Sequence, residues 1–143
     1  MTTIDQPVGR FDAETGQWIA AVDWCVDLAD GRVLVVRAGF RSDGASIPRP
    51  LWPLVGPRFA ARTFPAALAH DALYAGELVP REMADAEFHR LLRFTGVGRV
   101  KARAYWIAVR SFGWLVWRSH TRGGIALARR WVSVFDAVRL QQG

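Results

Sequence analysis

The feature that most constrains this chain is a pair of helical patterns at 65–76 and 80–96, joined by only Glu77-Leu78-Val79. So short a link favours an antiparallel pair packed face to face. Pro65 suits a first helical turn, where a missing N–H costs little, and Gly76 suits the exit. At about 100° per residue, Ala67, His70, Asp71 and Tyr74 share one side of the first helix. Leu68, Ala69, Ala72 and Leu73 form its apolar side. The second helix carries Met83, Ala84, Phe88, Leu91, Leu92 and Thr95 as a stripe, with Asp85 at the edge of its buried face.

An antiparallel pair lets Asp85 reach His70 or Tyr74 across the interface. A histidine held by a carboxylate has a fixed tautomer and a stabilised charged form, which is what a general base needs. Adjacent His70 and Asp71 diverge by one helical step, so they flank a common site rather than pairing with each other. The same residues also read as a buried polar cluster whose members satisfy one another. Both readings stand at this level.

Upstream, the segment 8–40 reads as β structure. Glu14-Thr15-Gly16 is a turn, and Trp18, Ile19 and Val22 begin an apolar strand. Trp24, Val26 and Leu28 then alternate with Asp23, Cys25 and Asp27, as in a half-buried strand. Asp30-Gly31 marks a hairpin, after which Val33, Leu34, Val35 and Val36 return. Beyond Gly98 a helix at 99–119 is expected, with a bend or break at Gly113 and an end at Gly123-Gly124. A last helix is expected at 125–140, carrying Trp131, Val132, Phe135 and Val138. The fold class is therefore α+β: a small N-terminal antiparallel sheet, a helical hairpin and two further C-terminal helices. The whole chain, 1–143, reads as a single domain.

Between sheet and hairpin lies a segment rich in turn chemistry. Ser42, Asp43 and Gly44 favour a turn, and Ser46 before Ile47-Pro48 an extended exit. Asp43 and Ser46 either orient one another or the His70 site, or bond their own backbone as Asx and Ser turns. Gly44-Ala45-Ser46 lacks the Gly-x-Ser-x-Gly pattern of a nucleophile elbow. The Pro-rich connector 51–62 either brings backbone carbonyls near Asp71, as a hard cation would need, or simply spans the surface.

Charge and composition narrow the function classes. The net charge of +6 is almost all arginine, with Lys101 the only lysine, and such a surface suits phosphate on nucleic acid or lipid. No helix-turn-helix, zinc-finger or RNP signature is present, so specific nucleic-acid binding is not indicated. Seven tryptophans include Trp106, Trp114, Trp117 and Trp131 beside arginines. This resembles an interfacial belt, but aromatic stripes at helical spacing are more often core, and core is the expectation. The single Cys25 excludes an internal disulfide, fits a reducing compartment and reads as a small strand residue. Neither a spanning segment nor a signal peptide is read, so a cytoplasmic location is the expectation.

Two resemblances follow from these residues. Phe40-Arg41-Ser42-Asp43-Gly44-Ala45-Ser46-Ile47-Pro48-Arg49, then His70-Asp71-Ala72-Leu73-Tyr74, then Arg81 with Ala84-Asp85 and Phe88, resembles a phage and prophage domain-of-unknown-function family, number 1353. It implies a phage setting, in the host cytoplasm or on the virion, with other phage structural proteins as partners and Arg81 as a supporting residue. His70-Asp71 with Tyr74, followed by Ala84-Asp85 and Phe88, is similar to the active-site helices of phospholipase A2. That likeness implies a histidine that activates water against an ester, with a membrane lipid surface as partner. By position, His70 would be the base, Tyr74 and Asp85 would orient it, and Asp71 would bind calcium. Leu73 stands where secreted members of that family carry cysteine.

Overall fold

The computed structural model describes residues 3–44, 53, 56 and 60–137. Among the described residues, five strands precede the helices and a sixth follows them, arranged in two antiparallel three-stranded sheets, which makes the fold α+β. In the first sheet β1 (Gly9–Asp12) and β2 (Gln17–Ala20) form a hairpin, and β5 (Arg41–Ser42) adds to the other edge of β2 with Trp18 opposite Ser42. The second sheet holds β3 (Trp24–Asp27) and β4 (Arg32–Val36), with β6 (Val132–Asp136) on the far side of β4.

Alternation in β3 translates directly into burial. Trp24, Val26 and Leu28 are buried while Asp23, Cys25 and Asp27 face out. Gly31 closes the hairpin at φ +85°, a conformation few other residues adopt without strain. Partial burial, with Asp23 and Asp27 on either side, raises the Cys25 thiol pKa. That is the wrong direction for a thiolate nucleophile.

Four helices follow among the described residues: α1 (Phe64–Ala75), α2 (Arg81–Phe94), α3 (Arg99–Ser119) and α4 (Arg122–Ala128). α1 packs against α2, β4 and α4, and α2 packs against α3. The reading of α1 as two-faced needs correction, because its polar side is also covered. From Phe64 to Tyr74 only His70 and Asp71 keep partial exposure. A central helix of small residues (Ala66, Ala67, Ala69, Ala72) allows this, since neighbours approach closely on every side. Two polar residues reaching solvent from an otherwise buried helix mark where a site opens.

The C-terminal end departs from expectation. The antiparallel strands are divided between two small sheets, β1-β2-β5 and β3-β4-β6. The helix expected at 125–140 ends at Ala128, and 132–136 is a strand. Gly123 and Gly124 lie inside the short α4, where Thr121 caps by accepting from the Gly124 amide at 3.0 Å. The chain then becomes β6, whose Val132 is buried against β4. The exposed edge of β4 needs hydrogen-bond partners, and Val132-Ser133-Val134-Phe135 offers a period-two pattern that supplies them. Residues 138–140 of the expected helix lie outside the described residues.

Gly113 does not break α3, which is continuous through it. Its role is space. A β-carbon there would stand 2.5 Å from Tyr74 Oη and 3.3 Å from Arg81 Nη1. Alanine normally favours a helix over glycine by about 1 kcal/mol. Here the overpacking cost of about 1–3 kcal/mol outweighs that gain. Gly113→Ala should therefore lower the melting temperature by several degrees, measured by circular dichroism, where a stabilised variant would contradict the packing account.

Candidate functional site

The site is built where α1, α2 and α3 meet. α1 presents His70 and Tyr74 one turn apart with ring centroids 4.2 Å from each other, and Phe88 of α2 packs on the imidazole at 4.9 Å. From α2, Asp85 projects into this group and is wholly buried, at 0% exposure, rather than at the face's edge as expected. Its Oδ1 takes Tyr74 Oη at 2.6 Å and lies 2.7 Å from His70 Nε2. Its Oδ2 accepts from Arg110 Nη1 of α3 at 2.7 Å, and Arg81 Nη1 stands 3.6 Å away.

A buried charge this well supplied with donors stays ionised. Burial is the largest single influence on Asp85 and acts to raise its pKa. The hydrogen bonds from His70, Tyr74 and Arg110 outweigh it together, so the carboxyl is held below its ordinary value. Burial, and then the bond to Asp85, push the Tyr74 hydroxyl well above its usual range, which keeps it a donor. An ionised carboxylate only accepts, so His70 Nε2 must carry the hydrogen. In the neutral ring that leaves the lone pair on Nδ1.

Beside this cluster lies a cleft of about 200 Å3. His70, Asp71, Asp43, Phe112, Val116 and His120 are among its walls. Asp71 does not join the Asp85 cluster. Its Oδ2 accepts from Ser42 Oγ at 2.6 Å, which fastens α1 to β5. Burial, with the Asp43 charge adding to it, pushes the Asp71 carboxyl up to about 7 against the opposing bond from Ser42. Asp43 stands at the cleft, Arg81 closes on Asp85, and Ser46 lies outside the described residues.

The raised Asp71 has a definite sign for stability. Below its ordinary value of 3.8 the folded and unfolded chains both hold the proton. Between there and about 7 only the folded chain does, so stability falls as pH rises through that window. The loss is about 4 kcal/mol at most, at 1.36 kcal/mol per unit. Asp71→Asn should abolish this decline, so that its melting temperature no longer falls as pH rises from about 4 to about 7. Parallel melting curves for the two proteins across that window would contradict it.

Three contributors had no local signal in the sequence. Ser42 sits in the turn singled out above, but its partner is 29 residues away. Arg110 reaches Asp85 only because α3 packs on α2. A second histidine–carboxylate pair, His120 Nδ1 to Glu77 Oε1 at 2.9 Å, borders the same cleft. Glu77 is held at φ +43°, with Arg129 Nε donating to the neighbouring Gly76 carbonyl at 2.7 Å. Glu87, buried on α2, has a structural part: it takes the Ala29 amide and Arg90, tying the helix to the β3–β4 hairpin.

What the fold and site define is an α+β protein with a carboxylate-bound histidine at an open cleft. The chain belongs to the family described as protein of unknown function DUF1353, whose profile matches residues 18–109. That span includes every described member of the Asp85 cluster except Arg110, and both cleft aspartates. Over 111 residues the chain is also 34% identical to an uncharacterised protein of Sinorhizobium fredii, y4jT, covering 75% of this chain. The chain spans about a third, 32%, of the length of that curated relative. No solved structure matches it.

Proposed function

We propose that the cleft hydrolyses carboxylic esters of phospholipids, with His70 as general base. The observation that carries this reading is the 2.7 Å contact of His70 Nε2 with a buried, ionised Asp85, at a histidine that also lines the cleft. A water held at Nδ1 gives its proton to the imidazole as its oxygen bonds to the ester carbonyl carbon. The imidazolium that forms faces the Asp85 charge, which stabilises it. When the tetrahedral intermediate collapses, the C–O bond to the alcohol breaks and Nδ1 returns the proton to the departing alkoxide. Products are a fatty acid and a lysolipid.

Calcium, implied by the phospholipase likeness, would meet Asp71 and Asp43, oxygen donors of the kind a hard cation takes. Among the described residues no group of three or more His, Cys, Asp or Glu gathers to hold a metal, so these two would form only part of its shell. When bound, the ion would polarise the ester carbonyl. Purified protein mixed with phospholipid vesicles, with calcium or with a chelator, tests the proposal through released fatty acid. Release by the wild type and none by His70→Gln is expected. Equal inactivity of both proteins on every phospholipid, calcium present, removes it.

One observation favours a second reading. Asp85 receives Arg110 and faces Arg81 besides His70 and Tyr74, more donors than orienting a base requires. Such a cluster also suits a polar lock in a non-enzymatic phage particle or assembly component, set in the host cytoplasm or on the virion. What supports the phage setting is the three-block pattern from Phe40 to Phe88. Co-purification of the protein with intact particles, and full function of His70→Gln, would decide for it.

A further inference from the structure

We infer that the C-terminal half of α3 is a docking surface for an anionic lipid bilayer. Expected as core, this segment instead lies open. Phe112 is 43% exposed, Trp114 44%, Leu115 53% and Val116 45%, four large apolar residues within five positions. Single exposed apolar residues are ordinary, but a contiguous patch marks an interaction surface. Phe112, Leu115 and Val116 are three and four apart, so they share one face of the helix. Phe112 and Val116 also form part of the cleft wall. The apolar face therefore runs without interruption from solvent into the hollow that holds His70.

Charge chooses the occupant. No Asp or Glu stands between Glu87 and Asp136, a stretch that holds more than half of the chain's 19 Lys and Arg. Arg118 lies over the Trp114 ring at 5.8 Å from its centroid, and Arg103 over Trp106 at 5.7 Å. A cation stacked on an indole beside exposed aliphatic residues matches the boundary between lipid phosphates and acyl chains. A nucleic acid would answer the arginines but leave Leu115 and Val116 wet. No helix among the described residues is long and apolar enough to cross a membrane, so α3 would lie along the surface. This inference stands apart from the hydrolase reading, because it rests on exposure and charge and not on His70.

Flotation with vesicles of phosphatidylcholine alone, and of phosphatidylcholine with phosphatidylglycerol, tests it. The wild type should bind the anionic vesicles at least about tenfold more tightly, and lose that preference when salt is raised from about 0.1 M to about 1 M, where the Debye length shrinks roughly threefold. Arg118→Glu, a change of two charges at about fivefold each, should weaken binding by about twenty-five-fold. Leu115→Asp should weaken it by about tenfold or more, and His70→Gln should leave it unchanged. The inference is overturned by equal affinity for both vesicles, by wild-type binding of both surface variants, or by tight binding to a DNA duplex with no vesicle binding. Vesicle binding without fatty-acid release upholds the surface and removes the hydrolase. Hydrolysis of a monomeric short-chain lipid without vesicle binding does the reverse.

Discussion

Asp85→Ala should lower the melting temperature by about 10 °C at neutral pH. Removing this carboxylate strands Arg110 Nη1, Tyr74 Oη and His70 Nε2, which all converge on it, and leaves the Arg81 charge facing an empty space. Breaking a buried ion pair by deleting one partner costs about 3–5 kcal/mol, because the remaining charge loses its compensation. For a domain of this size each kcal/mol is worth about 2–4 °C. Asp85→Asn keeps the shape and one acceptor oxygen, and should fall by less. The pH dependence has the opposite sign to that of Asp71. Asp85 has a folded pKa below its ordinary 3.8, so its contribution is complete above that value and is lost as pH falls through the folded pKa. Melting curves from about pH 3 to 8 should show the wild type weakening in acid more steeply than Asp85→Asn. A fall of less than about 2 °C for Asp85→Ala at neutral pH would mean the cluster is not the bond network described.

The second large effect concerns activity. His70→Gln should reduce fatty-acid release by about 10²–10⁴-fold, the usual contribution of a positioned general base. Glutamine can still donate a hydrogen bond toward Asp85, so the melting temperature should move by only a few degrees. This separation of activity from stability distinguishes a base from a structural lock. Asp85→Asn should also lose most of its activity, because a neutral amide no longer fixes the Nε2–H tautomer or stabilises the imidazolium. Initial rates on vesicles for the three proteins provide the check. A His70→Gln enzyme as fast as the wild type would end the general-base assignment.

Local signals carried much of the architecture. Pro65, Gly76 and Gly96 bracket α1 and α2, and a three-residue link leaves little choice of arrangement. Strict alternation through Trp24, Val26 and Leu28 leaves β3 equally little choice. Where the reading failed, distant partners decided. The segment Val132–Asp136 fits a helix nearly as well as a strand in isolation, and β4, about a hundred residues earlier, selects the strand. Gly113 looked like a helix breaker because glycine weakens helices in general. Its actual use, room for Tyr74, depends on a contact between α1 and α3 that no local pattern encodes.

The site divides along the same line. His70, Asp71 and Tyr74 share one helix and Asp85 begins the next, so their neighbourhood follows from helical periodicity and a short link. Ser42 and Arg110 arrive from β5 and α3, and only packing reveals them. An aromatic stripe at helical spacing is usually core, and α3 departs from that rule. Its exposure follows from α1, which covers only the Gly113 and Trp117 side, where Tyr74 meets the Trp117 ring at 5.2 Å.

Everything proposed for the cleft depends on which imidazole nitrogen of His70 carries hydrogen. Long-range proton–nitrogen correlation spectra of the protein labelled with nitrogen-15 at histidine report this directly, without a substrate. The geometry at Asp85 predicts hydrogen on Nε2 of His70, so that a neutral ring has a bare Nδ1, and loss of that preference in Asp85→Ala. A neutral ring with hydrogen on Nδ1 would leave no base facing the water, and would contradict the account.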